Sequence, residues 1–350
     1  MKQTLRDFLC PQPKSKIKAG DGQLKGAYNF YTSSQIQSKF YHSATYTQPA
    51  LIFGTGGMAS VHYCNEPFST STDCLVMYGR LGAPLELIYY YLRSNMHLLQ
   101  DGFKGAGLQH ISKDYILNIN INMPAPSLQE QITHQMRLID AMINGKKQQI
   151  LSFDEAVKSR FIELFGVYPS NPKGWETATI RDIVADVRYG SSRPAVDGDK
   201  YPYLRMNNIT YGGELDLTDT KRIDIPDNEL DKCTVRRGDV LFNRTNSKEL
   251  VGKTCVYNRD EMMVLAGFVI RVRVTERVLP EFLSAFLNTD FSKQMLLGMC
   301  KAAIGQANIN AQEMQNIGIY LPPTELQRQF VQFKEQTDKS KLFDEMEVAA

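Results

Sequence analysis

Residues 107–131 read G-L-Q-H-I-S-K-D-Y-I-L-N-I-N-I-N-M-P-A-P-S-L-Q-E-Q, and residues 305–329 read G-Q-A-N-I-N-A-Q-E-M-Q-N-I-G-I-Y-L-P-P-T-E-L-Q-R-Q. They align without a gap at an offset of 198, from Gly107 to Gly305. Ile111 falls on Ile309, Ile119 and Ile121 on Ile317 and Ile319, and Pro124 on Pro322, and the Leu-Gln-x-Gln at Leu128 falls on the one at Leu326. A chain written twice holds two copies of one structural unit, so the repeat sets the architecture before any single motif is weighed.

The likeness runs outward from this block. Thr4 to Leu9 matches Thr179 to Val184, and Tyr28-Asn29-Phe30 with Ile36 matches Tyr201-Pro202-Tyr203 with Ile209. Leu51-Ile52-Phe53 matches Val240-Leu241-Phe242, and Leu85 to Leu92 matches Pro280 to Leu287. The offset drifts from 175 to 198, with insertions confined to loops, so one copy occupies roughly residues 1–170 and the other roughly 174–350. A shared scaffold with divergent loops is the pattern expected when each copy presents different chemistry on one frame.

Each copy has the same grammar. An amphipathic start leads to a polar loop, then to apolar strands at Ala50–Phe53 and Cys74–Met77 in one copy and at Asp239–Phe242 and Val264–Val274 in the other. A helix follows at Leu85–Arg93 or Pro280–Leu287, then a strand at Ile116–Met123 or Met314–Leu321 that ends in a proline turn. Strands and helices mixed within one unit predict an α+β fold of two similar mixed α/β modules.

The proline turn opens a long helix, with Ser127 as its cap and Glu130 three residues on. Apolar residues recur at Leu128, Ile132, Ile139, Met142, Ile150, Phe153, Val157, Phe161 and Leu164, in threes and fours like a heptad seam. Gly145 is its weak point, and Gly166 with Pro169 ends it. From Leu128 to Phe165 it would be about 57 Å long at 1.5 Å per residue. The second copy opens alike with Leu326, Phe330 and Phe333, but is shorter. Isolated seam helices are marginal in water, so the two are expected to pair as an antiparallel coiled coil spacing the modules, the alternative being that each packs separately on its own module. The domains expected are a module at 1–125, a spacer helix at 126–166, a second module at 167–323 with a linker at 167–175, and a short helix at 324–350.

Composition narrows the function classes. The 350 residues are 43% hydrophobic and 22% charged, as in an ordinary globular protein of two or three domains. A net charge of +2 leaves nucleic-acid binding open, since a basic face can hide in a near-neutral total. No run of 18 apolar residues suggests a membrane span, and Met1–Pro13 has no apolar signal region. Six scattered cysteines without a C-x-x-C pair read as reduced, buried thiols of a cytoplasmic protein, and no metal is expected.

A search for catalytic chemistry returns little. No phosphate-binding G-x-x-x-x-G-K-[ST] occurs. The glycine-rich Gly54-Thr55-Gly56-Gly57 is replaced in the other copy by Asn243-Arg244-Thr245-Asn246. All five histidines lie in the first copy, and Asp73 has no acidic counterpart near Ala266-Gly267-Phe268, so neither a shared histidine nor a carboxylate-pair mechanism repeats. No Asn-Pro-Pro-aromatic or Asp-Pro-Pro-aromatic tetrapeptide, the signature of an amino-methyltransferase site, is present.

The polar loops carry more. In the second copy Ser191, Ser192 and Arg193 follow the opening element, and Arg205, Asn207 and Asn208 follow the next strand. Asn243, Arg244, Thr245, Asn246 and Lys248 come after the central strand, and Gln306, Asn308 and Asn310 precede the last one. The matching places of the first copy hold Lys16, the run Thr32, Ser33 and Ser34, then Thr55, Gly56 and Gly57, and finally Gln109 and His110. Arg, Asn and Gln can make bidentate contacts with base edges, while Ser, Thr and Lys suit phosphates. Any turn favours Asn, Ser and Gly. Such residues at equivalent places in both copies, with different identities, point to contact with nucleic acid.

At these residues the chain resembles the specificity subunit of a type I restriction–modification system. The likeness covers almost the whole length and rests on the duplicated strand, proline turn and Leu-Gln-x-Gln helix, with Lys173-Gly174-Trp175-Glu176 before Thr179-Ile180. Gly190–Pro194 and Tyr201–Arg205 also resemble the start of such a domain. The resemblance implies two target-recognition domains, each reading one part of a bipartite double-stranded DNA site, spaced by the paired helices. It implies docking to two methyltransferase subunits and, through the complex, to restriction subunits. Methyl transfer and cleavage, with S-adenosylmethionine, ATP and Mg, would reside in those partners, leaving this chain non-catalytic and without a cofactor. Two other readings are the specificity half of another split-chain DNA modification system, and a nuclease or transferase with an unfamiliar site.

Overall fold

The computed structural model describes residues 3–105, 107, 109–193, 200–300 and 307–349. The chain divides into two compact units, Met1–Asn144 and Gly145–Ala350. The boundary falls inside the long helix rather than at its ends, where a separate spacer of 126–166 was expected.

The first unit contains β1 (Gln3–Thr4), α1 (Leu5–Phe8), β2 (Leu9–Pro11), β3 (Tyr28–Tyr31), β4 (Lys39–Tyr41), β5 (Ala50–Gly54), β6 (Val61–Cys64), β7 (Phe68–Thr70) and β8 (Cys74–Gly79). It continues with α2 (Leu85–Ser94), α3 (His97–Gln100), α4 (Lys113–Leu117), β9 (Asn120–Ile121) and the first part of α5 (Pro126–Phe165). Four strands form an antiparallel sheet in the order β2-β8-β5-β6, and three form a sheet in the order β4-β3-β7 with β3 and β7 parallel.

The second unit adds β10 (Glu176–Thr179), β11 (Val184–Tyr189), β12 (Tyr201–Leu204), β13 (Lys221–Ile223), α6 (Asp227–Cys233), β14 (Thr234–Val235), β15 (Val240–Asn243), β16 (Thr245–Asn246) and β17 (Thr254–Val256). Then come β18 (Met263–Leu265), β19 (Val269–Val274), α7 (Pro280–Leu287), α8 (Asp290–Met299), β20 (Ala307–Asn308), α9 (Ala311–Gln315), β21 (Gly318–Leu321) and α10 (Thr324–Ala349). Its sheets run β11-β19-β15-β17 and β13-β12-β18-β14, with β12 and β18 parallel.

The central strands are apolar throughout because both of their faces are covered. Leu51 and Phe53 of β5 pack with Ile88 and Leu92 of α2, while Ala50 and Ile52 pack with Tyr31 and Phe68 of the second sheet. In the other unit Val240 and Phe242 of β15 pack with Phe282 and Phe286 of α7, while Leu241 packs with Leu204 and Leu265.

The repeat is reproduced hydrogen bond by hydrogen bond. Asp7 closes a capping box on Thr4, and Asp182 does the same on Thr179, each through a 2.8 Å bond from the threonine N–H. Arg6 donates to Asn118 at 3.1 Å, and Arg181 to Asn316 at 3.0 Å. Leu5 N–H meets the Ile119 carbonyl at 3.0 Å, and Ile180 N–H the Ile317 carbonyl at 2.9 Å. The glutamine of each Leu-Gln-x-Gln folds back on its proline turn, Gln129 to the Pro124 carbonyl at 3.0 Å and Gln327 to the Pro322 carbonyl at 2.8 Å. That is the physical content of the aligned glutamines, which satisfy a carbonyl where the strand leaves its sheet.

Several local expectations change. The strands expected over Ile116–Met123 and Met314–Leu321 begin as one helical turn each, because Ser112 and Asn310 cap α4 and α9 and delay extension to β9 and β21. The strand expected over Val264–Val274 breaks into β18 and β19 around Ala266-Gly267-Phe268. Ser127 lies inside α5, which starts at Pro126, the first-turn position where a missing N–H costs nothing. Four cysteines are buried, but Cys10 is exposed and Cys300 half-buried.

The helix seam is also different from the expected one. Leu128 and Ile139 are 47% exposed and Met142 is 70% exposed, while Met136 and Ile143 turn inward with Ile150, Phe153 and Val157. Met136, Ile143, Ile150 and Val157 recur every seven residues, so the inward stripe keeps a heptad spacing but is carried past Ile139 and Met142 by other residues. Within the second unit α5 and α10 run antiparallel: Phe161 packs on Phe330, Lys341 bridges to Asp154 at 2.9 Å, and Lys146 to Asp344 at 2.7 Å. Phe161, Phe165, Phe282 and Phe330 put their rings 4.8–5.7 Å apart and anchor both helices on α7.

Truncating Phe330 to alanine should therefore cost about 3–5 kcal/mol in urea unfolding of the second unit. Met142→Asp should stay within about 0.5 kcal/mol, as surface substitutions do. Equal losses would place the seam where the heptad reading first put it.

Candidate nucleic-acid interface

In each unit the ends of the central strands gather five polar loops, held by a common set of main-chain hydrogen bonds. In the first unit Thr72 N–H donates to the Ile17 carbonyl at 2.9 Å and Ser71 N–H to the Tyr31 carbonyl at 2.8 Å. Thr55 N–H donates to the Asp73 carbonyl at 2.9 Å, and Ile111 N–H to the Thr55 carbonyl at 3.2 Å. The second unit repeats the four: Gly267 to Ser191 at 2.7 Å, Ala266 to Leu204 at 2.9 Å, Arg244 to Phe268 at 2.9 Å, and Ile309 to Arg244 at 2.9 Å. The isolated Gly56–His110 bridge becomes the paired strands β16 and β20, Thr245 opposite Asn308.

Because backbone groups hold the loops, most side chains need not. The frame therefore equates Ile17 with Ser191, Thr55 with Arg244, Gly56 with Thr245, Gly57 with Asn246, Asp73 with Phe268 and His110 with Asn308. Close approach explains two glycines. A Cβ on Gly190 would sit 2.2 Å from the Leu265 carbonyl oxygen, and one on Gly54 would sit 2.2 Å from Ser60 Oγ.

The first-unit cluster leaves Lys16, Ser34, Gly57, Gln109 and His110 exposed. Thr55 and Ser33 are used internally, both hydroxyls donating to the Asp73 carbonyl at 2.9 and 2.8 Å, and the Thr32 hydroxyl accepts from Ser34 N–H at 3.3 Å. Gly56 lies under the His110 ring, which meets the Thr55 carbonyl at 3.0 Å. Beneath the cluster, His62 Nε2 lies 2.9 Å from the Ser34 carbonyl.

The second-unit cluster separates the predicted residues sharply. Ser192, Asn207, Lys248 and Asn308 are exposed, and Arg244 and Asn246 half-buried. Asn208 is 1% exposed and closes a turn, donating to the Asp216 carbonyl at 2.8 Å. Asn243 is fully buried, the Ser191 hydroxyl accepts from Arg193 N–H, and Asn310 caps α9 through Gln312 and Glu313 N–H groups. Thr245 is buried with its hydroxyl toward Asn308. Ser191, Asn208, Thr245 and Asn310 are frame residues, and the Asn243 amide is buried with neither its oxygen nor its nitrogen hydrogen-bonded among the described residues, a correction to the reading of all five as contacts. Gln306 lies outside the described residues.

The arginines divide by charge. Arg193 pairs with Glu229 at 2.7 Å and Arg205 with Asp219 at 2.8 Å, whereas among the described residues no carboxylate pairs with Arg244. Its guanidinium stands 4.7 Å over the Tyr189 ring, whose hydroxyl in turn accepts from Ala311 N–H at 2.9 Å. Lys253 is buried and donates to the Met206 carbonyl at 2.9 Å, and burial holds its ammonium below the ordinary lysine range. It supports the Arg205–Asn208 turn from below.

Sequence reading missed Tyr189, which orients Arg244, and Phe268, 51% exposed where the first unit has Asp73. The sequence did carry a signal for Phe268, since Ala266-Gly267-Phe268 aligns with Asp73. Among the described residues no three His, Cys, Asp or Glu side chains group as metal ligands, and no helix is long and apolar enough to cross a membrane.

The comparisons with known proteins agree with this duplicated architecture. The family model described as the type I restriction modification DNA specificity domain matches residues 3–152 and again 172–344. The chain belongs to that family and carries its domain twice. It is 24% identical over 234 residues to the type I restriction enzyme EcoKI specificity subunit of Escherichia coli strain K12, over 62% of this chain and 50% of the relative. It is 28% identical over 162 residues to the putative type I restriction enzyme MjaX specificity subunit of Methanocaldococcus jannaschii, over 45% of this chain and 38% of the relative. The matches thus span half or less of these relatives' length. Among solved structures, the type I restriction–modification S subunit from M. genitalium superposes with a TM-score of 0.59 at 13% identity, covering 100% of this chain and 92% of that one. A chain of another solved type I system superposes with a TM-score of 0.56 at 15% identity, covering 100% and 93%. At these identities the likeness is one of fold.

His62 supplies a pH readout of the first-unit cluster. Burial, only partly offset by the Ser34 carbonyl, lowers its pKa below the ordinary 6.5. The folded state thus binds fewer protons than the unfolded one, so this contribution to stability is present above pH 6.5 and lost as pH falls. An NMR titration should give His62 a midpoint below 6.5, and a midpoint at or above it would contradict a buried neutral ring.

Proposed function

We propose that the chain is the DNA-recognition subunit of a type I restriction–modification complex, each unit reading one part of a bipartite double-stranded target. The observation that supports this is the pair of loop clusters built on one hydrogen-bond frame with different side chains. The first presents Lys16, Ser34, Gly57, Gln109 and His110; the second presents Ser192, Asn207, Arg244, Asn246, Lys248 and Asn308. Arg244, without a carboxylate partner among the described residues and 4.7 Å from the Tyr189 ring centre, is suited to bidentate contact with guanine, and Asn308 to adenine. Lys16 and Lys248 suit phosphates.

The chain itself is non-catalytic in this reading. Methyltransferase and restriction subunits would supply S-adenosylmethionine, ATP and Mg chemistry. Two methyltransferase subunits would dock on the long helices, where Leu138, Ile139 and Met142 of α5 and Leu342, Phe343 and Met346 of α10 are exposed apolar side chains.

The test is selection from random duplex DNA by the chain together with a methyltransferase subunit. A split motif with a fixed gap is expected; a continuous motif, or none, would sink the proposal. Arg244→Ala or Asn308→Ala should relax preference at one position of one half-site, by about 1–3 kcal/mol for a lost bidentate pair, and leave the other half-site unchanged. Equal loss in both half-sites would assign these residues to folding or to phosphate contact.

A further inference from the structure

A cavity of about 350 Å³ opens in the second unit between α5, α10, the α7–α8 corner and the Tyr211–Glu214 loop. It lies at the low end of the 300–1,000 Å³ usual for small-molecule sites. One wall is aromatic. Tyr168 stands 5.4 Å from Phe286, 5.3 Å from Phe291 and 5.7 Å from Tyr320, ring centre to ring centre. The rim is charged, and most of it is internally neutralised: Lys341 bridges Asp154 and Glu214, Lys334 pairs with Asp338, and Lys158 with Glu155.

Lys293 is the exception. Its ammonium donates to the Tyr211 carbonyl at 3.1 Å and lies 4.2 Å from the Tyr211 ring, and among the described residues it has no carboxylate partner. Asp290, one turn earlier on α8, lines the cavity without bridging to it. An ammonium has three donors, and one carbonyl uses only one. Burial first, then the nearby Lys253 and Lys158 charges, push its pKa down to about 8. A half-buried cation among like charges, with spare donors beside a wall of rings, is a site short of an anion.

The loop that lines the cavity is held in place. Thr210 N–H meets the Glu214 carbonyl at 2.9 Å, and Glu214 N–H meets Thr210 Oγ1 at 3.0 Å. Gly213 has φ +89°, and a Cβ there would lie 2.8 Å from the Thr254 carbonyl oxygen, so only glycine lets the loop seat on β17. The Glu214–Lys341 bridge at 2.9 Å then ties the loop to α10.

We propose that this cavity binds a small aromatic acid, its anionic group on Lys293 Nζ and its ring against Tyr168, Phe286 and Phe291. The occupant would touch the recognition domain and both long helices of the second unit at once. This goes beyond the reading of the loop clusters, which lie on other residues.

The test is calorimetry on the full chain with 2-naphthoate and its neutral analogue 2-naphthamide. Naphthoate should bind at least tenfold more tightly than the amide, and Lys293→Met should bring it down to the amide's level. Lys232→Met, an exposed control outside the cavity, should change neither. Absence of naphthoate binding up to millimolar concentration, or equal binding by wild type and Lys293→Met, would overturn the proposal. Should Lys293→Met fail to fold, intermolecular NOEs from naphthoate to the wild-type Phe291 ring decide: their presence supports the site and their absence refutes it. DNA selection is read separately, so failure here leaves the recognition reading untouched.

Discussion

Five loops converge in each unit because their backbone amides and carbonyls satisfy one another across the strand ends. Thr55 and Arg244 occupy the pivotal place: each donates its N–H to one loop, at Asp73 or Phe268, and accepts at its carbonyl from another, at Ile111 or Ile309. A buried backbone group left without a partner costs about as much as a lost hydrogen bond, so this arrangement cannot loosen at one point without exposing others. The shared part of it is main chain, which is why threonine and arginine can hold the same position. Conformation and chemistry are thereby separated, the condition for one scaffold to present two different surfaces.

The helices obey a different economy. Their anchor is aromatic, the four rings of Phe161, Phe165, Phe282 and Phe330, while further from it the contact between α5 and α10 is ionic. Asp344 is 3% exposed and depends on Lys146, and Lys341 is shared by Asp154 and Glu214. Breaking such a buried pair is costly even where its formation adds little, so the ion pairs select one antiparallel register more than they add to stability. The apolar residues of α10 that face away, Leu342, Phe343 and Met346, are left for other contacts.

Much of this was legible. The duplicated Pro124 and Pro322, with Gln129 and Gln327 five residues on, announced a turn that the two carbonyl–amide bonds then explain. The α+β class and the apolar strands Ala50–Gly54 and Val240–Asn243 followed from continuous hydrophobic runs. The loop set also converged as the repeat implied. What misled was local chemistry read without its partners. Asn310 resembles a base-reading amide but sits where a helix begins, and Arg193 and Arg205 resemble free cations until Glu229 and Asp219 arrive from 36 and 14 residues away. Ile139 and Met142 fit a heptad on paper, but the inward heptad position in this stretch is held by Met136 and Ile143.

Sequence by itself determined that there are two copies, where their central strands and long helices lie, and which loops vary between them. Those properties depend on periodicity and turn chemistry, which act over a few residues and survive divergence. Tertiary structure alone decided which polar side chains are free. That choice turns on long-range partners: a carboxylate that neutralises Arg205, a ring beside Arg244, a cavity where Lys293 has no carboxylate partner among the described residues. Charge and hydrogen-bond satisfaction are settled by distance in space, and distance in space is set only once the chain has folded.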